Sequence, residues 1–267
     1  MLGCLEIICE VNLFFRVFCG KPLSVISFLN FCAFRGKQNV PIHYLHHVPF
    51  IDIHTHSHLR SAETFTIRNF FGKFSETHAK EFYSLGLHPW YLKSESAEAE
   101  LEELKHFAEQ KNILAIGECG LDKVCSTDWK LQLNYFRKQI TLANQVKKPL
   151  IIHCVRAWEE VLDELKKMKA EVPVIFHGFN KSPELAQSVL KQNESYYLSF
   201  GKHLENENVA NVFRQLPLEK VFLETDSSDL KIENIYEFAA KAVNESVEFI
   251  SIQIERNFKK VFGQIEL

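Results

Sequence analysis

Phe50-Ile-Asp-Ile-His-Thr-His56 alternates apolar Ile51 and Ile53 with Asp52, His54 and His56. In a β-strand, side chains two apart project to the same side, so Asp52 and both histidines share one face. Two imidazoles converging at a strand end suit a divalent cation. A pair of strand-end histidines bonded to backbone or water is the competing reading, and this segment alone leaves the two about even.

Downstream of this stretch, short apolar runs alternate with helix-like segments. The runs predict strands over Phe50–His54, Thr64–Arg68, Tyr83–Leu87, Ile113–Gly117, Leu150–His153, Val172–His177, Tyr196–Phe200 and Lys220–Thr225. Several are continuously apolar, as strands covered on both faces of a parallel sheet are. Leu101, Leu104, Phe107 and Ala108 form an apolar stripe at helical spacing. So do Trp129, Leu133, Phe136, Ile140 and Ala143, and so do Val161, Leu162, Leu165 and Met168. Ser182-Pro183 predicts a capped helix start before Leu185, Ala186, Val189 and Leu190. Ser246 caps a last helix carrying Ile250, Ile254, Phe258 and Val261. These stripes are core. Eight strands in repeated strand–helix alternation predict a (β/α)8 TIM barrel, closed or distorted, with a doubly wound open sheet as the runner-up. The absence of a G-x-G-x-x-G or Walker loop disfavours that nucleotide-binding alternative.

The 267 residues carry a net charge of −3, which excludes a long basic track along nucleic acid but leaves room for grip at a few phosphates. The seven cysteines (Cys4, Cys9, Cys19, Cys32, Cys119, Cys125, Cys154) are odd in number, irregular in spacing and without a C-x-x-C pair. A disulfide scaffold and a structural zinc knuckle are therefore disfavoured, and a reducing, cytoplasmic compartment is expected. Residues 1–47 are apolar and cysteine-rich with no clean period, and read as an extension outside the barrel that spans 48–267. Glu6, Glu10, Asn12 and Arg16 break the first apolar run, which reads against a membrane span. Pro41 and His43, His46 and His47 read as a solvated linker.

Polar residues then mark the strand ends. His54 and His56 close the first strand, Glu118 the fourth (Ile116-Gly-Glu-Cys-Gly-Leu-Asp122) and His153 the fifth (Leu150-Ile-Ile-His153). His177 closes the sixth (Val174-Ile-Phe-His-Gly-Phe179) and Asp226 the eighth (Val221-Phe-Leu-Glu-Thr-Asp226). In a barrel all carboxyl ends open on one face, where catalytic groups gather. Four imidazoles and two carboxylates converge there.

These segments, with Gly86-Leu-His-Pro89, Asn257-Phe258 and Val261-Phe262, resemble the TatD family of metal-dependent deoxyribonucleases within the amidohydrolase superfamily. The resemblance covers the chain from about Phe50 onward. It implies two divalent ions per chain (Mg, Mn or Zn) and hydrolysis of DNA or another phosphodiester, from its ends, with no membrane and no obligate protein partner. His54, His56 and Asp226 would hold one ion, His153 and His177 the other, with Glu118 shared. Asp226 and Glu118 would be the catalytic carboxylates, and Asp52 would orient a ligand imidazole. Such a pair of ions clamps the attacking and leaving oxygens of a phosphodiester.

His88, Lys123 and Arg156 are the candidate substrate contacts, with Lys181 beside them. Cys119 and Cys154 read as packing residues, and strand alternation turns Glu224 and Asp229 away from the ligand face. His58, His78, His106 and His203 carry no signal. The sequence departs from the family pattern at Lys123-Val124, where an aromatic is usual. It departs again at Val155-Arg156, where arginine is usual one place earlier, and at Ser227-Ser228, where Ser-Pro is usual. All three positions concern substrate rather than ligands. The competing activity is that of a superfamily hydrolase acting on a small amide, ester or lactone. Variants of that kind often use a carboxylated lysine as the bridge, and Glu118 in that place favours the phosphodiesterase.

Overall fold

The computed structural model describes residues 49–57 and 63–265. The extension expected over residues 1–47, its four cysteines and linker histidines, and His58 lie outside the described residues. Eight parallel strands run in sequential order: β1 (Phe50–Thr55), β2 (Thr64–Phe70), β3 (Phe82–Leu85), β4 (Ile113–Asp122), β5 (Leu150–Val155), β6 (Val174–Phe176), β7 (Tyr196–Phe200) and β8 (Val221–Leu223). A doubly wound sheet would reverse its strand order at a switch point, so the sequential order decides for the barrel.

The last strand returns to the first. Asp226 N donates to the His54 carbonyl at 2.9 Å and His56 N to the Asp226 carbonyl at 3.0 Å, forming a parallel bridge between Thr55 and Asp226. This closure tethers His54 of β1 and His56 just past it to Asp226.

Helices cover the outside: α1 (Ala97–Ala108), α2 (Trp129–Val146), α3 (Trp158–Lys167), α4 (Pro183–Gln192), α5 (Glu207–Arg214), α6 (Ile232–Val243) and α7 (Val247–Phe262). The apolar stripes face the barrel: Leu101 and Leu104 of α1, Phe136 and Ile140 of α2, Val161 and Leu165 of α3, and Ile250, Ile254 and Phe258 of α7 are buried. Ser182 accepts from Leu185 N and Ser246 from Phe249 N, each satisfying a donor at a helix start, worth about 1 kcal/mol. Between β2 and β3 the described connection is a single 3-10 turn, Phe74–Glu76. No described helix is long and apolar enough to cross a membrane.

Strand boundaries depart from the sequence pattern at informative places. The expected sixth strand, Val172–His177, is trimmed to Val174–Phe176, because Pro173 has no N–H for the ladder. The fourth is longer than expected. It continues through Glu118 to Asp122, with a register shift against β5 between Ile116 and Cys119. Gly120, at φ 146°, permits this: a Cβ there would run into the His153 carbonyl oxygen of β5. Glu118 thus sits inside a bulged strand rather than at its end.

Asp52 belongs to the closure and not to an imidazole, contrary to its expected role. Its carboxyl accepts from Thr225 N (3.1 Å), Thr225 Oγ1 (2.6 Å) and His54 N (3.3 Å). Burial pushes this acid up to about 7 from 3.8. Asp52→Ala, which strands buried donors, is expected to cost about 1–3 kcal/mol in urea unfolding. Between pH 3.8 and about 7 the folded chain keeps a proton that the unfolded chain releases. Stability from this group therefore falls as pH rises through that window, and Asp52→Asn flattens that slope.

Candidate metal centre

Glu118 is the hub of the barrel mouth. It is 3% exposed and its two carboxylate oxygens face different partners. Oε1 lies 2.7 Å from His153 Nδ1, 2.8 Å from His177 Nε2 and 2.9 Å from His88 Nε2. Oε2 lies 3.3 Å from His54 Nε2 and 3.5 Å from His56 Nε2. Asp226 Oδ1 faces the second set, 3.5 Å from His56 Nε2 and 3.8 Å from His54 Nε2. All six expected ligand residues therefore stand around one opening. Asp226 reaches it from a left-handed backbone (φ 52°), a conformation aspartate tolerates better than most residues.

Burial works against a charge on Glu118, but His177, His153 and His54 outweigh it and hold the carboxyl well below the usual range. Burial likewise opposes a charged His177, while Glu118 and then Glu224 draw its pKa well above that of free imidazole.

The donor set fits divalent cations. His54 is fully buried, yet neither ring nitrogen has a hydrogen-bond partner, and His177 Nδ1 has none either. Buried polar atoms left this way are costly. Two donors about 2.0–2.1 Å from one tetrahedral ion stand about 3.4 Å apart. Three of the four spacings of His54 and His56 to Glu118 and Asp226 are 3.3–3.5 Å and the fourth is 3.8 Å, long for hydrogen bonds and near the spacing around a shared cation. His54, His56 and Glu118 form one group able to hold an ion, and His54, His177 and Asp226 a second.

His88, Glu118 and His153 are also close enough to hold an ion, but the hydrogen bonds separate their roles. His153 faces a carboxylate at each nitrogen, Asp122 Oδ2 at 3.1 Å from Nε2 and Glu118 Oε1 at 2.7 Å from Nδ1, so a cation on Nδ1 would leave the proton on Nε2 held by Asp122. His88 is the reverse. Its Nδ1 accepts from Trp90 N at 3.1 Å, so Nε2 carries the proton and donates to Glu118. His88 is built as a donor to the hub rather than a ligand.

Three contributors were missed in the sequence. Asp122 bridges His153 and the Trp90 indole N–H, 2.6 Å away. Asn69 lies 3.4 Å from Glu118 Oε2 through Nδ2 and accepts from Glu118 N at 2.9 Å. Its signal was its phase: it follows Phe65 and Ile67 at alternate positions of β2, a polar residue in a buried series. Glu224, set aside by alternation, is fully buried 3.6 Å from His177 Nδ1 and accepts from Gly178 N at 2.6 Å. β8 ends at Leu223, so strand alternation no longer governs position 224.

The expected substrate contacts divide. His88 is in the hub. Lys123 is paired with Glu160 and lies 5.8 Å over the Trp129 ring, its ammonium already occupied. Arg156 is exposed, in a left-handed conformation at φ 52° just past β5. Cys119 is buried, whereas half-buried Cys154 lines a cleft of about 200 Å³ beside His153 and His177. Asp226, Lys181, Lys202 and His203 line the same cleft. His203, without signal in the sequence, thus borders the centre, whereas Asp229 does not line that cleft and sits by Ser228 on the β8 side.

An eight-stranded barrel whose mouth gathers imidazoles around a shared carboxylate defines a metal-dependent hydrolase. The chain belongs to the TatD related DNase family, whose profile matches residues 61–263. It is similar to a metal-dependent hydrolase of Buchnera aphidicola subsp. Baizongia pistaciae, 30% identical over 209 residues that cover 72% of this chain and 77% of that one. It is also similar to the 3'-5' ssDNA/RNA exonuclease TatD of Pantoea ananatis, 27% identical over 215 residues, with 72% and 82% covered. The fold is shared with the crystal structure of YJJV, the TatD homolog of Escherichia coli k12, at a TM-score of 0.68 and 20% identity over 81% of this chain and 98% of that one.

Because Asp122 would hold the Nε2 proton of a metal-bound His153, Asp122→Asn is expected to weaken metal binding about 10–100-fold with the fold intact. Chelator competition with the loaded protein, beside circular dichroism, measures this.

Proposed function

We propose that this TatD-family hydrolase cleaves phosphodiester bonds of DNA from chain ends, with two divalent cations and an attacking water. The observation that carries the reading is the division of Glu118, with one oxygen turned to His153 and His177 and the other to His54 and His56. His54, His56 and Asp226 would hold one cation and His153 and His177 the other, with Glu118 common to both. Such cations supply Lewis acidity toward phosphoryl oxygens and make water acidic near neutral pH.

The remaining roles fall to the chain's own groups. Asp226, with 37% of its side chain exposed, would take the proton of the attacking water. Glu118 stays ionised among its imidazoles, and His88 and Asn69 hold its carboxylate in orientation. Lys181 and Lys202 on the cleft offer positive charge to phosphates and His203 a ring N–H, while Lys123 and Arg156 would meet substrate only at the outer rim. Imidazole-rich ligation suits Zn or Mn, and phosphoryl transfer also runs on Mg. The Pantoea relative, named as an exonuclease of single-stranded DNA and RNA, supports a nucleic-acid end as substrate. The described free thiols Cys119, Cys125 and Cys154 support a reducing, cytoplasmic setting.

Purified protein with Mg2+ or Mn2+ is expected to shorten single-stranded oligonucleotides, and EDTA to stop the reaction. His153→Ala and Asp226→Asn are expected to lower kcat at least about 10³-fold, since each cation contributes several kcal/mol to the transition state. Intact nucleic acid in every condition, with turnover of a small ester or lactone instead, would assign the chain to the amide and ester branch of the superfamily.

A further inference from the structure

Exposed apolar side chains are concentrated beside the centre. Among the described residues the large ones are Phe71 (40% exposed), Trp90 (54%), Tyr91 (47%), Val124 (61%) and Phe249 (44%). Four of these five lie on the segments leaving β2, β3 and β4 at the mouth of the barrel. Scattered exposed apolar groups need no explanation, whereas a cluster beside a polar site marks binding.

Three of the four are aromatic and begin where the candidate ligands end. Phe71 and Tyr91 stack with centroids 4.4 Å apart and planes 15° from parallel. Phe71 lies 6.3 Å from the His56 ring, Tyr91 5.4 Å from His88, and Trp90 5.7 Å from His153. The polar edge of Trp90 is already satisfied by Asp122, which tethers the indole while half its surface stays in water. A tethered aromatic with its N–H engaged gains further stabilisation only by covering its face.

We propose that Phe71, Trp90 and Tyr91 form a stacking shelf for an unpaired nucleobase of a single-stranded nucleic acid, which sets the adjoining phosphodiester at the Glu118 centre; this rests on the nuclease reading above. The outer face of the Phe71–Tyr91 stack, with Trp90 standing at 75° to Tyr91 as a side wall, offers a π surface about one ring-width from the candidate ligands, which matches the step from a base to its own phosphate. The basic groups Lys181, Lys202 and His203 lie on the cleft along β6 and β7, apart from the rings, so base and backbone are gripped by different sides of the mouth. Stacking accepts every base, since each has a π face, and it requires a base not already stacked and paired in a duplex. The shelf therefore makes the enzyme tolerant of sequence and selective for single strands.

The test is binding to the metal-loaded full chain, read by fluorescence anisotropy. The probe is a cleavage-resistant phosphorothioate oligonucleotide of thymidines, compared with the same backbone made abasic. Phe71→Ala and Tyr91→Ala are expected to raise Kd for the thymidine probe about ten-fold, within the roughly 5- to 150-fold attached to one stacked base. Tyr91→Phe keeps the ring and the wild-type Kd. The abasic probe binds wild type and variants alike, at the weaker level. Unchanged Kd in both alanine variants, or an abasic probe bound as tightly as the thymidine one, overturns the shelf. Binding that depends on the rings, in a protein that cleaves no ordinary oligonucleotide, upholds the shelf and overturns the hydrolytic reading. Cleavage with ring-independent binding does the reverse.

Discussion

A carboxylate removed from water needs compensating charge, and Glu118 is almost wholly removed. Its environment supplies imidazoles on both oxygens, an amide from Asn69 and the N–H of His88. A ring nitrogen that gives its lone pair to a cation carries no proton, so the charge that balances this buried anion would then come from cations that its ring nitrogens and acids share. Much of the local backbone serves this one group. The bulged β4 turns Glu118 inward, Gly120 lets that strand pass close to His153, and Asn69 ties the Glu118 N–H to β2.

The second set of donors depends on barrel closure. β1 and β8 are joined through the backbone of His54, His56 and Asp226, the residues whose side chains face Glu118 Oε2. Fold and site therefore share the same hydrogen bonds at this seam. Asp52 reinforces it by accepting from both Thr225 and His54, and Thr225 Oγ1 also lies 2.7 Å from Thr55 Oγ1. An acid at position 52 is a structural part of the closure, although its place in the Asp-x-His-x-His pattern suggests a role at the imidazoles.

The barrel and the convergence of its polar strand ends were legible because both rest on simple periods. Apolar runs mark strands, helical stripes mark crossovers, and a polar residue directly after a buried run has one place to go. What was not legible is what breaks those periods. The bulge in β4 lengthens the strand and brings Asp122 to His153, four residues beyond Glu118. The short β8 releases Glu224 from alternation, so it turns beneath His177 instead of away. Asn69 could have been found, since a buried-phase asparagine in β2 has to spend its polarity on a neighbour. The tautomer of His88 could not, because it is set by a backbone N–H two residues on.

Charge around the mouth is uneven, and this bears on substrate more than the motifs do. Nearness in sequence to the ligands does not decide which cations reach the cleft: Lys123 is neutralised by Glu160, and Arg156 stands exposed past the end of β5. Lys181, Lys202 and His203 occupy the cleft from the next two strand ends instead. A chain with net charge −3 cannot hold a polyanion along its length, and a few local cations beside a divalent centre suffice for one or two phosphates. With phosphates on the β6–β7 side, the strand proposed above would lay its bases toward the β2–β3 side, where the exposed rings stand. The proposed single-stranded end would use both the charge and the aromatic surface, whereas a small neutral ester would use neither.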